Sequence, residues 1–314
     1  MIDAPDLPPG GIAWEQTLDL KASDGVRLRG AVWRGGTSDD QGRGLVLLLP
    51  GRTEFLEKSS VPAAELVKRG FTVASVDWRG QGRSQRLVDP PLKGHVGHFT
   101  DFHRDLAALL GHPGVAGVGG PRLLLAHSMG GAIGLGAIAR GLIASDGVIL
   151  SGPMLGFTMP KLMRPISCVT LWIARRLGKM EAWPPFGPVD QPYVFTGFEG
   201  NFLTSDRAMF DWMAAALRRE PALQLASPTL GWFDQSFAEM AWLARQGPLT
   251  CPGLCLLGSR ERVVDPAAVR AAAARLGAEL VEIDGAEHEM LIEAEPMRAQ
   301  AWAAIDRFLA ANRF

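Results

Sequence analysis

Four short runs of this chain are apolar without a break, at 45–49, 123–126, 147–150 and 254–257, and a fifth at 71–76 is nearly so. A strand with one face in water alternates apolar and polar residues, whereas a strand covered on both faces does not. These runs therefore belong to a sheet sandwiched between two layers. Helical patterns lie between them, at 58–69 (closed by Gly70), at 101–110 (with Thr100 as the expected N-cap), at 132–140 and at 266–276. A sixth run at 279–283 and a closing helix at 295–311 continue the rhythm. Strand, helix and strand in regular succession predict an α/β protein with a mostly parallel, doubly wound sheet. Two more strands, 16–20 and 26–33, flank the turn Ser23-Asp24-Gly25 and bring the expected number to eight; a polar, Gly-rich loop at 35–44 follows them.

The rhythm stops near Ser151 and resumes near Thr250. From 153 to 247 the pattern is helical, rich in Met, Trp and Phe, and punctuated by Pro184-Pro185 and Pro192. The expected organisation is a core made of 1–152 and 248–314, with 153–247 inserted as a helical cap. Composition excludes several other classes. A formal net charge of −1 over 314 residues gives no basic face for nucleic acid. Three cysteines are too few for a disulfide framework, and Cys251 and Cys255 read as small buried apolar residues. Six histidines without Cys/His clustering suggest no metal site, and no run reaches the roughly 18 apolar residues of a membrane span. The opening residues Met1 to Asp6 have neither a basic region nor an apolar core, so no signal peptide and a cytoplasmic location are expected.

Ligands of open α/β sheets bind beyond the carboxyl ends of the strands, so chemistry is sought there. After 123–126 comes Ala126-x-Ser128-x-Gly130 and then a helix, which is the strand–turn–helix layout of a nucleophile elbow; small residues flank the serine because the turn is too tight for larger ones. After 45–49 comes Pro50-Gly51-Arg52, where the N–H of Arg52, with that of Met129, can form a two-donor oxyanion hole. After 279–283 comes His288, a general-base candidate in the chain order serine, acid, histidine. After 254–257 two acids qualify as its partner: Glu261, favoured by position, and Asp265, which before Pro266 can equally cap the next helix. His127 is expected to be packed or to line the mouth. The loop 77–84 reads as structural, with Asp77 bonding backbone amides, and His95, His98 and His103 are too loosely spaced along it for metal.

With these residues assembled, the chain resembles the α/β-hydrolase fold, and more narrowly the family of bacterial lysophospholipases, monoacylglycerol lipases and serine aminopeptidases. The resemblance is carried by Leu49-Pro50-Gly51-Arg52-Thr53-Glu54, by residues 77–84 (Asp-Trp-Arg-Gly-Gln-Gly-Arg-Ser), by 126–131, by 258–265 and by Gly285-Ala286-Glu287-His288. Three positions depart from it: Ala126 replaces the usual Gly, Pro50 a frequent His, and Glu261 the usual Asp. The implied activity is hydrolysis of lipid carboxylic esters through an acyl-enzyme on Ser128, with no cofactor. A short-chain esterase or peptidase on the same triad and a non-catalytic binding protein are the alternatives; no acidic cluster suited to an amine accompanies the aminopeptidase name. Met154, Leu155, Phe157, Met159, Leu162, Met163, Trp172 and Ile173 are expected to form an apolar surface over the strand ends, with Met154 and Phe157 touching an acyl chain. Lys161, Arg164, Arg175, Arg176 and Lys179 alternate with them, which allows either a helix packed on the core or one lying on an anionic membrane surface.

Overall fold

The computed structural model describes residues 7–35, 42–160, 162–185 and 190–314, the side chain of Arg164 excepted. Most of the expected 35–44 loop, and Lys161, lie outside the described residues. The strands are β1 Gln16–Lys21, β2 Arg27–Trp33, β3 Leu45–Leu49, β4 Thr72–Val76, β5 Arg122–His127, β6 Gly147–Ser151, β7 Gly253–Gly258 and β8 Glu279–Ile283. The helices are α1 Leu56–Lys68, α2 Asp101–Gly111, α3 Pro113–Ala116, α4 Met129–Ala139, α5 Met163–Arg176, α6 Arg207–Arg219, α7 Leu230–Leu243, α8 Pro266–Leu276 and α9 Met297–Ala311.

The eight strands form one sheet in the order β1-β2-β4-β3-β5-β6-β7-β8, antiparallel at β1–β2 and β2–β4 and parallel from β4 onward. The unbroken apolar runs divide by parity between two cores. Leu45, Leu47, Leu49, Leu124, Ala126, Leu150 and Leu257 pack on one face, and Val46, Leu48, Leu123, Leu125, Ile149 and Leu256 on the other. Full burial of each such side chain contributes about 1.5–3 kcal/mol, so a polar residue at any of these positions opposes the fold directly.

Chain direction reverses its lateral progress at β3: β4 lies to one side of it and β5 to the other. That switch point is where an open α/β sheet leaves a crevice. Register aligns the strand ends around it, Leu49 with Ala126, His127 with Ser151, and Gly258 with Ile283. Residues just beyond β3, β5, β6, β7 and β8 therefore share one rim.

Local signals behave as their chemistry requires, with one exception. Gly70 (φ 85) closes α1 through a pair of bonds, its N–H to Val67 O and that of Phe71 to Leu66 O, the double closure of a left-handed C-terminal residue. Thr100, by contrast, is itself helical and caps nothing; Asp101 folds back instead to accept from the His98 N–H at 3.0 Å. His103 lies within α2 and is buried, not on the loop before it. Between β6 and β7 run α5, α6 and α7 with two short 3-10 turns, and α7 is fastened to α4 by a two-pronged Arg140–Glu239 pair at 2.6 and 2.8 Å.

Candidate active site

The turn from β5 into α4 places Ser128 at φ 50, ψ −117, a strained backbone for a residue with a side chain. Its N–H donates to Ser151 O at 3.0 Å, and its carbonyl accepts from Gly131 and Met154 at 2.9 Å each. The helix then passes directly over the end of β3. A Cβ built on Gly130 would lie 2.2 Å from Leu49 O, so no side chain fits there. Ala126, at the other end of the elbow, is fully buried in the core. The Ser128 hydroxyl forms no hydrogen bond among the described residues; its position is fixed by its backbone, and such bonds commonly tighten only with substrate in place.

His288, 3 % exposed, meets Glu261 across 2.7 Å between Nδ1 and Oε2. The other Glu261 oxygen, Oε1, accepts from the N–H groups of Val263 at 2.7 Å and Val264 at 3.1 Å. Burial pushes this carboxyl up, but the hydrogen bond and charge of His288, with the two amides, outweigh it and hold Glu261 below its ordinary range. Asp265 is used elsewhere: it is the N-cap of α8 and accepts from Ala267 at 2.9 Å and Ala268 at 3.4 Å. Of the two candidate acids, Glu261 is the one at the histidine. Gly152 (φ 50) lies against this pair, where a Cβ would come within 3.2 Å of His288 Nδ1 and 3.3 Å of Glu261 Oε2. Nothing in the sequence distinguished that glycine.

The loop after β3 brings Gly51 beside the elbow, a Cβ on it falling 3.1 Å from Ser128 Cβ. Its peptides are committed on three sides. Trp78 Nε1 donates to Pro50 O at 2.8 Å, Gln81 Nε2 donates to Gly51 O at 2.9 Å, and the Gly51 N–H donates to Glu54 Oε2. The Gly51 carbonyl and the Arg52 N–H belong to one trans peptide and point opposite ways, so the bond to Gln81 aims the Arg52 N–H. That N–H and the one of Met129 carry no hydrogen bond among the described residues. Trp78 and Gln81 lie on the loop read from sequence as structural; Asp77 does there what was expected, accepting from Leu56 and Arg83 amides at 2.9 Å each.

Beneath this rim four charged or titratable groups are buried together. Lys58 Nζ bridges Glu54 at 2.8 Å and Glu289 at 2.5 Å, while Glu289 Oε2 lies 3.4 Å from His127 Nε2. His127 Nδ1–H donates to Ser151 O over 2.9 Å, and its ring centroid is 4.7 Å from that of His288. His127 is thus packed within this cluster, which is where its burial pushes its pKa down. Burial pushes Glu54 up, but Lys58 outweighs it and holds the carboxyl at about 2; Glu289 is pushed up by burial. Glu54, His127 and Glu289 offer ligand atoms within 4.8 Å of one another, a metal-like grouping that their scattered positions hid in the sequence. The Lys58 ammonium contacts both carboxylates and supplies the cation of the cluster.

The apolar surface expected over the strand ends divides in two. Met154 is buried in the core, and Phe157 packs on Trp232, Phe233 and Phe237 at 5.5–6.0 Å between centroids. Leu155, Phe157, Met159, Leu171 and Phe237 line a cavity of about 640 Å³, which continues past Met159 and Leu171 into one of about 300 Å³. The remaining residues face outward. On and beside α5, Leu162, Ile166, Val169, Trp172, Ile173 and Leu177 are exposed, from 41 % to 72 %, and among the described residues of this helix only Leu171 and Ala174 are buried. Leu171 and Ala174 pack against Leu230, Phe233 and Phe237 of α7, while the rest of the apolar stripe faces outward. Among the described residues no helix is long and apolar enough to cross a membrane.

Comparison with known proteins matches residues 40–295 to the family described as Serine aminopeptidase, S33. Lysophospholipase L2 of Escherichia coli (strain K12) is 35 % identical over 282 residues, covering 84 % of this chain and 79 % of the relative. The monoacylglycerol lipase of Mycolicibacterium smegmatis is 27 % identical over 288 residues, 86 % of this chain and 89 % of its own. Among solved structures, a soluble variant of monoglyceride lipase from Saccharomyces cerevisiae superposes with a TM-score of 0.71 at 20 % identity, covering 96 % of this chain and 98 % of that one.

Proposed function

The chain belongs to the serine aminopeptidase, S33, family of hydrolases, and from that premise we propose that it hydrolyses carboxylic esters of lipids, as a lysophospholipase or monoacylglycerol lipase, with Ser128 as nucleophile. The observation that carries the reading is the 2.7 Å contact of His288 with a carboxylate that two backbone amides hold in place, on the same rim as the strained serine. In the proposed cycle Glu261 accepts from His288 Nδ1–H, leaving Nε2 free to take the proton of Ser128 as its oxygen attacks the ester carbon. The oxyanion is held by the N–H groups of Arg52 and Met129. His288 then delivers the proton to the departing alcohol, and water, deprotonated by the same imidazole, releases the fatty acid from the acyl-serine. Losing one oxyanion donor costs about 2.7–4 kcal/mol of barrier, so both free amides matter.

Residues 153–247 act in this reading as a cap, and the 640 Å³ cavity lined by Phe157, Met159, Leu171 and Phe237 is large enough for an acyl chain, although none of Ser128, His288 and Glu261 lines it. The outward stripe of α5, with Arg176 and Lys179 at its end, is suited to rest on an anionic lipid surface while substrate enters; Arg175 is paired with Asp234 of α7. The test is a Ser128→Ala variant with a fluorophosphonate probe and a series of p-nitrophenyl esters. The wild type should label and prefer long acyl chains; the variant should neither label nor turn over. Retained esterase activity in the variant ends the proposal, and a preference for two- to four-carbon acyl groups replaces lipid by short-chain substrates.

A further inference from the structure

Among the described residues several buried or half-buried arginines have carboxylate partners; Arg86 instead donates to four backbone carbonyls, and Arg52 has a single carbonyl. Arg29 pairs with Glu57 and Asp77, Arg79 with Asp24 and Asp105, and Arg140 with Glu239. The Arg52 guanidinium has no carboxylate partner among the described residues. Its Nη2 donates to the Ala226 carbonyl, its Cζ lies 5.5 Å from the Trp232 ring centroid, and its Nε is buried with no acceptor among the described residues. The Ala226 carbonyl and the Trp232 ring offset only part of the cost of taking this charge out of water, and burial pushes its pKa down to about 9. A guanidinium kept in that condition beside a candidate oxyanion donor is suited to pair with an anion. Guanidinium matches a phosphate fork to fork, and the two form strong, directional pairs.

The covalent geometry suits a specific ligand. From the Arg52 amide nitrogen to its Cζ runs a chain of bonds as long as the one from an ester carbonyl carbon, through glycerol, to the phosphorus of a 1-acyl-glycero-3-phosphoester. We propose that Arg52 reads a lysophospholipid at both points, its N–H at the ester carbonyl and its guanidinium at the head-group phosphate. This rests on the lipid-ester reading above and narrows it to substrates bearing phosphate. It also gives Arg52 two separable functions, of which only the side-chain one is lost on substitution.

The experiment compares wild type, Arg52→Lys and Arg52→Met on 1-palmitoyl-lysophosphatidylcholine and 1-palmitoylglycerol in the same neutral detergent micelles. The ratio of kcat/KM for the phosphate-bearing over the neutral substrate should fall at least tenfold in Arg52→Met, chiefly through KM, and less in Arg52→Lys. Equal losses on both substrates make Arg52 a strut between loop and cap and overturn the proposal, as does an unchanged ratio. A turnover-free arm measures lysophosphatidylcholine binding by Ser128→Ala with and without Arg52→Met, each checked for a cooperative melt; binding should weaken at least tenfold. That arm reports on Arg52 even where the hydrolytic reading fails, which the absence of fluorophosphonate labelling would reveal separately. Competition by glycerol 3-phosphate but not by equal inorganic phosphate supports head-group recognition, and equal competition by both assigns the receptor to free phosphate and overturns it.

Discussion

Replacing Glu261 by Gln tests the assignment of the acid through a tautomer. Oε1 of Glu261 accepts two backbone N–H groups, from Val263 and Val264, and Oε2 faces His288 Nδ1 at 2.7 Å. An amide placed there must keep its oxygen at the Oε1 site, because an NH2 group against two N–H donors satisfies neither. Its NH2 then faces Nδ1 and donates to it. The imidazole is driven to carry its proton on Nε2, the nitrogen that must accept from Ser128. The side chains are nearly isosteric and the fold should persist, while kcat falls by about 10⁴, equivalent to about 5 kcal/mol of barrier. Asp265→Ala should do the reverse. It removes the α8 cap, costing about 1 kcal/mol of stability, and leaves kcat/KM within a few-fold of wild type. Steady-state kinetics on a long-chain ester, with urea melts on the same samples, measure both. A Glu261→Gln enzyme keeping a tenth of wild-type kcat, or an Asp265→Ala enzyme losing a hundredfold, would refute the assignment.

Gln81→Met should lower kcat by tenfold or more with little change in KM, because releasing the Gly51 carbonyl frees the peptide whose N–H is aimed at the oxyanion; a kcat within threefold of wild type would show that Trp78 and Glu54 suffice to hold the loop. His103 supplies a pH signature of stability. Burial, and then the Arg140 charge, push it from 6.5 down to about 4, so it stays neutral in the fold where the unfolded chain binds a proton. Stability is therefore lost as pH falls below 6.5, by about 2 kcal/mol between pH 7 and 5, and the loss levels off below about 4. Urea midpoints should show His103→Gln losing correspondingly less over that interval, and identical losses in both proteins contradict the attribution.

The sheet is legible in the sequence because burial on both faces leaves a composition that no exposed strand can carry. Leu45–Leu49 divides its five side chains between two cores, and that is visible as an unbroken run. Helix faces are a different matter. The stripe of α5 is as regular as that of a core helix, but the pattern records only that apolar residues share a side, not what that side meets. Trp172 and Ile173 face outward because α7 and the rim occupy one edge of α5 alone, a fact of the tertiary arrangement. Thr100 likewise has the chemistry of a cap, but it stands at the N-cap position in a helical conformation and its side chain reaches no amide of α2.

The site divides along the same line. Ser128, Arg52 and His288 are each a fixed few residues past a strand, so topology alone collects them on one rim. Glu261 and Asp265 follow the same strand, and only the turn at 261–264, which folds the shorter of the two stretches back onto its own amides, separates a partner for His288 from a helix cap. Least legible is the Glu54–Lys58–Glu289 cluster. Glu54 and Lys58 are four apart at the start of a helix, the spacing of an ordinary surface pair worth a few tenths of a kcal/mol. Buried under the rim, the same pair is joined to the residue after His288 and to the Gly51 amide. One lysine thereby ties the loop that presents Arg52 to the loop that presents His288.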